Sequence, residues 1–450
     1  MIAPARVAAY DVLRAIDTGR ADLPTALAAA RASLADDRDR ALAADIAAGV
    51  QRWRNALDHV IAHAARRPVA RLDAEVLAIL RLSAYQLLHL TRVPASAVVD
   101  DAVKLVKRAA KTSASGFVNG VLRTLSRSRR SLPLPEPPAD PADRDAALAY
   151  LTITLSHPEW LARRWYDRYG FAAARQWMQF NNEPAPLTLR VNTIRTDPEA
   201  LVARLHREDV DVEPCAYAPG GFIVRRGQAL GTAAFEEGWF IVQDEASQLV
   251  GLLAGDRPRG RVLDACASPG GKSTAIAARM EGGVLVASDV RARRIDLLRR
   301  TVRTTGASRV RIVQADLLRP LPFSQPFDCV LVDAPCSGTG TLRRDPDIRW
   351  RRLEPDLAPL AAAQDVMLRH AAAAVAPGGR LIYATCSSEP EENDAVVDRF
   401  LAAHPDFQAV HAGNVAGSLP AAVVDDRGRL RTLPHRHGLE VFFGAVLARA

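Results

Sequence analysis

The sequence predicts an α/β fold: a Rossmann-like catalytic domain preceded by a small α+β subdomain and an all-α amino-terminal domain. Three observations carry this. From about residue 256 short apolar runs alternate with helical patterns, the signature of a mostly parallel sheet. A glycine turn, Pro269-Gly270-Gly271, follows the first of these runs and opens a helix. Two cysteines, Cys336 and Cys386, occupy matching places just after two later runs, so both thiols are expected at one edge of the sheet.

At 450 residues the chain is too long for one ordinary core. Residues 1–130 read as all-helical. Asp73–Leu88 carries apolar positions at three- and four-residue spacing, and Val98–Val106 repeats the pattern after Pro94. Phe117-Val118-Asn119-Gly120-Val121-Leu122 opens a last helix that ends among Arg127, Arg129 and Arg130. This region holds 21 Lys and Arg against 12 Asp and Glu, whereas the whole chain has a net charge of +8. Such a concentration favours a polyanion, most plausibly nucleic acid. Leu80–Leu90, Val93–Val106 and the Phe-Val-Asn-Gly-Val-Leu hexapeptide make the segment resemble the NusB-like RNA-binding helical domain.

Prolines 133, 135, 137, 138 and 141 predict a stiff linker over 131–144, because proline fixes φ and lacks a donor. The α+β subdomain is expected over 145–255, with helices at Pro158–Tyr169, Phe171–Phe180 and Pro198–Arg207. Its strands are expected at Leu187–Val191, Val212–Tyr217 and Phe222–Arg225. The catalytic domain, 256–450, has expected strands at Arg261–Asp264, Val284–Asp289, Arg309–Val313, Cys329–Asp333 and Arg380–Thr385. No apolar run approaches the roughly 20 residues of a membrane span. The amino terminus lacks a signal-peptide pattern, so a cytoplasmic location is expected. Five widely spaced cysteines predict neither a disulfide framework nor a metal site.

The turn after the first strand fits neither a P-loop, whose required glycine is Cys266, nor a Gly-x-Gly-x-x-Gly fingerprint. What remains is a glycine turn at a helix amino end, suited to a carboxylate. Asp289 ends the second strand and suits ribose hydroxyls, and Asp316 follows the third, placed to accept from an adenine amino group. With Asp264 they make three acids at successive strand ends. Carboxylate, ribose and adenine sites together describe S-adenosylmethionine better than a nicotinamide.

Two thiols beside such a pocket suggest covalent chemistry on an electron-poor ring. Cytosine C5 becomes nucleophilic once a thiolate adds to C6. The reaction then needs an acid-base partner near N3, for which Asp333 stands three residues before Cys336. Spacing alone does not rank the two thiols. Cys215, Cys266 and Cys329 read as small buried hydrophobes.

The motifs Asp264–Lys272, Asp333–Gly340, Arg343–Trp350, Tyr383–Ser387 and Pro390-Glu391-Glu392-Asn393, with Phe235–Leu249 upstream, resemble the RNA 5-methylcytosine methyltransferases of the NOL/NOP/Sun family. A NusB-like domain ahead of this core is the arrangement of the family's bacterial 16S ribosomal RNA enzyme. The resemblance implies S-adenosylmethionine as cofactor, held by Cys266, Ala267, Ser268, Pro269, Gly270, Gly271, Lys272, Asp289, Asp316 and Asp333. It implies Cys386 as the nucleophile toward C6, Cys336 in release of the methylated base, and Asp333 also facing the base. Expected partners are unassembled or early-assembly 16S RNA, with no DNA, no membrane and a monomeric protein. The rival readings are the same chemistry on transfer RNA or 23S ribosomal RNA, and a non-catalytic RNA-binding assembly or antitermination factor. Two departures stand out: Glu440-Val441 replaces the usual Asp-Gly before Phe442-Phe443, and Ser268 replaces a common alanine. The arginine-rich stretch 334–354 is expected to grip RNA phosphates beside a flipped-out cytosine.

Overall fold

A computed structural model describes residues 2–450. The chain forms two compact units, Met1–Pro184 with Leu342–Glu354, and Ala185–Thr341 with Pro355–Ala450.

The second unit contains two sheets. Strands β1 (Thr188–Val191), β2 (Asp211–Pro214), β3 (Gly221–Arg226) and β4 (Phe240–Val242) form a small antiparallel sheet in the order β2-β3-β1-β4. The helix Pro198–Arg207 packs with it through Leu201 and Leu205, its first turn capped by Asp197. Arg190 of β1 reaches the helix Gly271–Arg279, donating to Gln243 Oε1 at 2.7 Å and Thr274 Oγ1 at 3.0 Å.

The large sheet comprises β5 (Arg261–Asp264), β6 (Val284–Asp289), β7 (Val310–Gln314), β8 (Phe327–Asp333), β9 (Val375–Thr385), β10 (Phe407–Val410), β11 (Leu430–Arg431) and β12 (Phe443–Arg449). Its order is β10-β12-β9-β8-β5-β6-β7, with β11 beside β12. The five strands β5 to β9 pair in parallel, as the alternation of strand and helix predicts. Successive residues split between the two faces. Val262, Leu331 and Ile382 join one apolar layer with Ile276 and Leu298, while Leu263, Val330, Val332, Leu381 and Tyr383 join another with Leu368. The antiparallel β10 and β12 are additions to the expected five. Strand β12 is almost continuously apolar and buried, so it has no period-two signal to announce it.

Of the seven helices of the first unit from Pro4–Asp17 to Ser115–Ser128, five pack against Ala74–His89, which is buried over most of its surface. Tyr85 on this helix lies so close to Gly49 that a Cβ there would sit 2.0 Å from its ring. Further along, the helical run Glu159–Asn182 is broken at Gly170, whose φ of 77° only glycine adopts readily; hence two helices in the sequence pattern. Residues 145–184, read from sequence as part of the α+β subdomain, pack in this helical unit. The proline-rich stretch is held against it too. His59 bonds the Pro133 carbonyl, Thr154 donates to the Pro135 carbonyl, and Leu132 and Leu134 rest on the helical core.

The arginine-rich stretch is also built into the helical unit, which corrects its reading as a phosphate grip. Arg349 is 1% exposed and donates to the carbonyls of Arg52, Ser156 and Asn181 and to Asn182 Oδ1. Trp350 donates to the Gln51 carbonyl at 2.6 Å, and Asp347 accepts from the Leu23 amide. Arg343 lies over the Phe180 ring and donates to the Pro184 carbonyl. The Arg343 and Arg349 guanidiniums serve packing, and the more exposed Arg351 pairs with the buried Asp347 carboxylate at 2.8 Å.

Among the described residues no helix is long and apolar enough to cross a membrane, and no group of three or more His, Cys, Asp or Glu is placed to hold a metal ion. Because four buried acceptors depend on one guanidinium, Arg349→Ala should destabilise the helical unit by about 3 kcal/mol or more. Urea unfolding followed by circular dichroism reads this. Arg130→Ala, at an exposed position of the same unit, should change stability by less than about 0.5 kcal/mol.

Candidate functional site

The carboxyl ends of the parallel strands share one edge. Register pairs Asp333 with Ala384 across β8 and β9, and Asp289 with Gln314 across β6 and β7. The loops leaving these ends enclose a cavity of about 270 Å³. Cys266, Lys272, Asp289, Asp316, Asp333, Cys336 and Cys386 all lie on its wall, so seven of the expected site residues converge.

Cys336 and Cys386 are in contact, with sulfurs 3.4 Å apart. Cys386 follows directly on β9, and Cys336 lies three residues beyond the end of β8, so paired strand ends deliver both thiols to one place. The hydrogen bond with Cys386, and then burial, push the Cys336 thiol well above its usual range. Lys272 Nζ donates to Asp333 Oδ2 at 2.7 Å and lies 5.3 Å from the centre of the Phe442 ring. Burial works against the Lys272 charge, but the Asp333 carboxylate outweighs it and the ammonium is held above its usual range.

Ala267, Ser268, Pro269, Gly270 and Gly271 form the turn behind this wall. Gly270 has a φ of 107°, a conformation that favours glycine, and Gly271 begins the nine-residue helix that carries Lys272. The Ser268 amide donates to Asp289 Oδ2 at 3.2 Å, tying the turn to the end of β6. Ser268 Oγ also donates to the Arg294 carbonyl, so the replacement of alanine is absorbed by a hydrogen bond.

Asp264 differs from the expectation of three equivalent strand-end acids. It is fully buried, accepts from Ser273 Oγ at 2.6 Å, and burial raises its carboxyl to about 7. It supports the turn from inside and is not on the wall. Asp289 and Asp316 do face the cavity, at the ends of β6 and just beyond β7.

Arg294, Met367 and Phe442 also line the cavity. No local pattern announces the first two, which reach it from helices. Phe442 adjoins the departure already noted, Glu440-Val441. Val441 has no positive φ, and its amide donates to the Gly340 carbonyl at 3.0 Å, so the branched residue is accommodated without backbone strain.

Residues 252–448 match the family described as 16S rRNA methyltransferase RsmB/F, 3–127 the NusB family, and 157–230 the RsmF/B-like ferredoxin-like domain. The probable ribosomal RNA small subunit methyltransferase B of Bacillus subtilis (strain 168) is 34% identical over 413 residues, covering 90% of each chain. The ribosomal RNA small subunit methyltransferase B of Pseudomonas putida is 34% identical over 421 residues, covering 92% of each. The crystal structure of PH0851 superposes with a TM-score of 0.80 at 25% identity, covering 99% of both chains.

The thiol contact has a direct chemical check. Diamide, a two-electron oxidant of thiols, should remove two of the five cysteines from a thiol titration by closing Cys336 onto Cys386. Peptide mass spectrometry should find that single bridge, and Cys336→Ser should lose neither thiol from the remaining four as a pair.

Proposed function

The chain belongs to the RsmB/F family of 16S rRNA methyltransferases, and from that premise we propose that it methylates C5 of a cytosine in 16S ribosomal RNA through a covalent cysteine–C6 intermediate. Family membership makes it a methyltransferase of ribosomal RNA with S-adenosylmethionine as methyl donor. The observation that carries the finer reading is the contact of two thiols on the same cavity wall as Asp289 and Asp316.

The cofactor supplies an electrophilic methyl group on a sulfonium. The residues present fit it: a glycine turn and helix start for its carboxylate, Asp289 for the ribose and Asp316 for the adenine amino group. The Ser268 amide and Arg294 Nε both bond Asp289 Oδ2, which fixes that carboxylate in place. Asp333, oriented by Lys272, would accept from the cytosine amino group beside N3.

In the proposed reaction the Cys386 sulfur adds to C6 and the ring's electrons move to C5, which takes the methyl group. A base then removes the C5 proton, and the C6–sulfur bond breaks to restore the ring and the thiolate. Cys336, next to both bonds, serves that release step. The helical region 1–130 and the α+β region in 145–255 supply RNA contacts, with 131–144 joining them and 256–450 carrying the chemistry. The base must leave its stack to reach a recessed cavity, which favours RNA not yet packed by ribosomal proteins.

Methyl transfer from labelled S-adenosylmethionine to unmodified 16S RNA tests the reading, with nucleoside mass spectrometry identifying the product. Wild type should form 5-methylcytosine, Cys386→Ala none, and Cys336→Ala should accumulate a denaturation-resistant protein–RNA adduct. Adduct with Cys386→Ala would reverse the thiol roles. Transfer to 23S or transfer RNA alone would change the substrate.

A further inference from the structure

Behind the thiols lies a carboxylate that the reaction as drawn does not use. Glu392 is fully buried at the end of the single turn Pro390–Glu392. Its Oε1 accepts from the Ser337 amide at 2.9 Å, directly after Cys336, and from Gln364 Nε2 at 2.9 Å. Its Oε2 accepts from Ser387 Oγ at 2.6 Å, directly after Cys386. Its own carbonyl accepts from the Tyr383 hydroxyl at 2.6 Å. One side chain thus touches the residue following each thiol, and every donor to it is neutral.

The two sulfurs meet opposite charges. Glu392 acts on Cys336 and adds to the rise of that thiol, whereas the Lys272 ammonium interacts with Cys386. The other ionisable groups around the pair are Asp333, bonded to Lys272, and Tyr383, itself pushed up by burial. We propose that Glu392 is a positioning residue for both thiols: its carboxylate clamps together the loops that carry Cys336 and Cys386 and so fixes the 3.4 Å contact of their sulfurs. The kcat readout below rests on the cytosine reading; the clamp does not.

The test combines Glu392→Gln with two readouts. In a Cys386→Ser background, iodoacetamide labelling of Cys336 is followed by peptide mass spectrometry from pH 6 to 10. Removing the negative charge should raise the labelling rate at pH 8 about tenfold, one unit of thiolate ionisation. With both thiols present, the same substitution should lower kcat about 100-fold while the KM for S-adenosylmethionine stays within twofold. An unchanged Cys336 pH profile overturns the placement of Glu392 beside that thiol. Should Glu392→Gln fail to fold, Ser387→Ala removes one arm of the clamp and keeps the charge. It should lower kcat at least tenfold without altering Cys336 labelling, and an unaltered kcat overturns the clamp. Labelling needs neither RNA nor methyl donor, so methylation of another base would remove the cytosine reading and leave this test standing.

Discussion

The parallel register between β8 and β9 is the constraint on which the site depends. Pairing of Asp333 with Ala384 is continued by the Ala334 amide donating to the Ala384 carbonyl at 2.8 Å. Further out, the Gly340 amide donates to the Cys386 carbonyl at 2.9 Å. A slip of one residue would exchange the faces of Val330, Val332, Leu381 and Tyr383 for those of Leu331 and Ile382. Apolar alternation deep in the sheet therefore fixes where two sulfurs meet at its edge.

That edge is expensive to build, because its second layer is polar and buried. Ser337, Thr339, Ser387 and Ser388 hydroxyls bond one another, and Thr385 Oγ1 donates to Asn393 Oδ1 at 2.5 Å. Such a network is stable only when its members are satisfied, and it then holds a unique geometry. Gly340 shows how tight the packing is: a Cβ there would lie 2.5 Å from the Val441 carbonyl oxygen and 2.7 Å from that of Cys386. The Val441 Cβ lies 2.7 Å from the same point, so the buried valine packs directly on this glycine.

What the sequence revealed and what it hid follow from the range of the interactions. Asp289, Asp316, Asp333 and both cysteines were legible because strand-end position is a local property, and parallel topology turns it into convergence. Strands β10 and β12 were not, since a short half-exposed strand and a continuously apolar one both lack periodicity. Arg349 and Arg343 were misread for a different reason. Sequence shows a run of guanidiniums, but only the fold shows that their acceptors lie at residues 52, 156, 181, 182 and 184. Asp264 was legible as a strand-end acid and not as an internal strut, because its direction depends on Ser273. Glu392 fell inside a recognised motif without a role, for its partners come from three separate segments.

The same distinction bears on how the protein meets RNA. Counterion release rewards only cations that can approach phosphates, so net charge overstates attraction when guanidiniums are buried in packing. Arg349 is spent in the helical unit, and Arg6 and Arg81 there are paired with Asp101 and Asp58. Lys107, Arg123, Arg127, Arg129 and Arg130 are instead exposed, on the helices Ala95–Arg108 and Ser115–Ser128 and just beyond the second. The excess of basic residues in 101–130, eight against one acid, is thus mostly surface charge. Attraction for ribosomal RNA is better assigned to those helix ends than to Arg343 and Arg349, whose guanidiniums pack the helical unit.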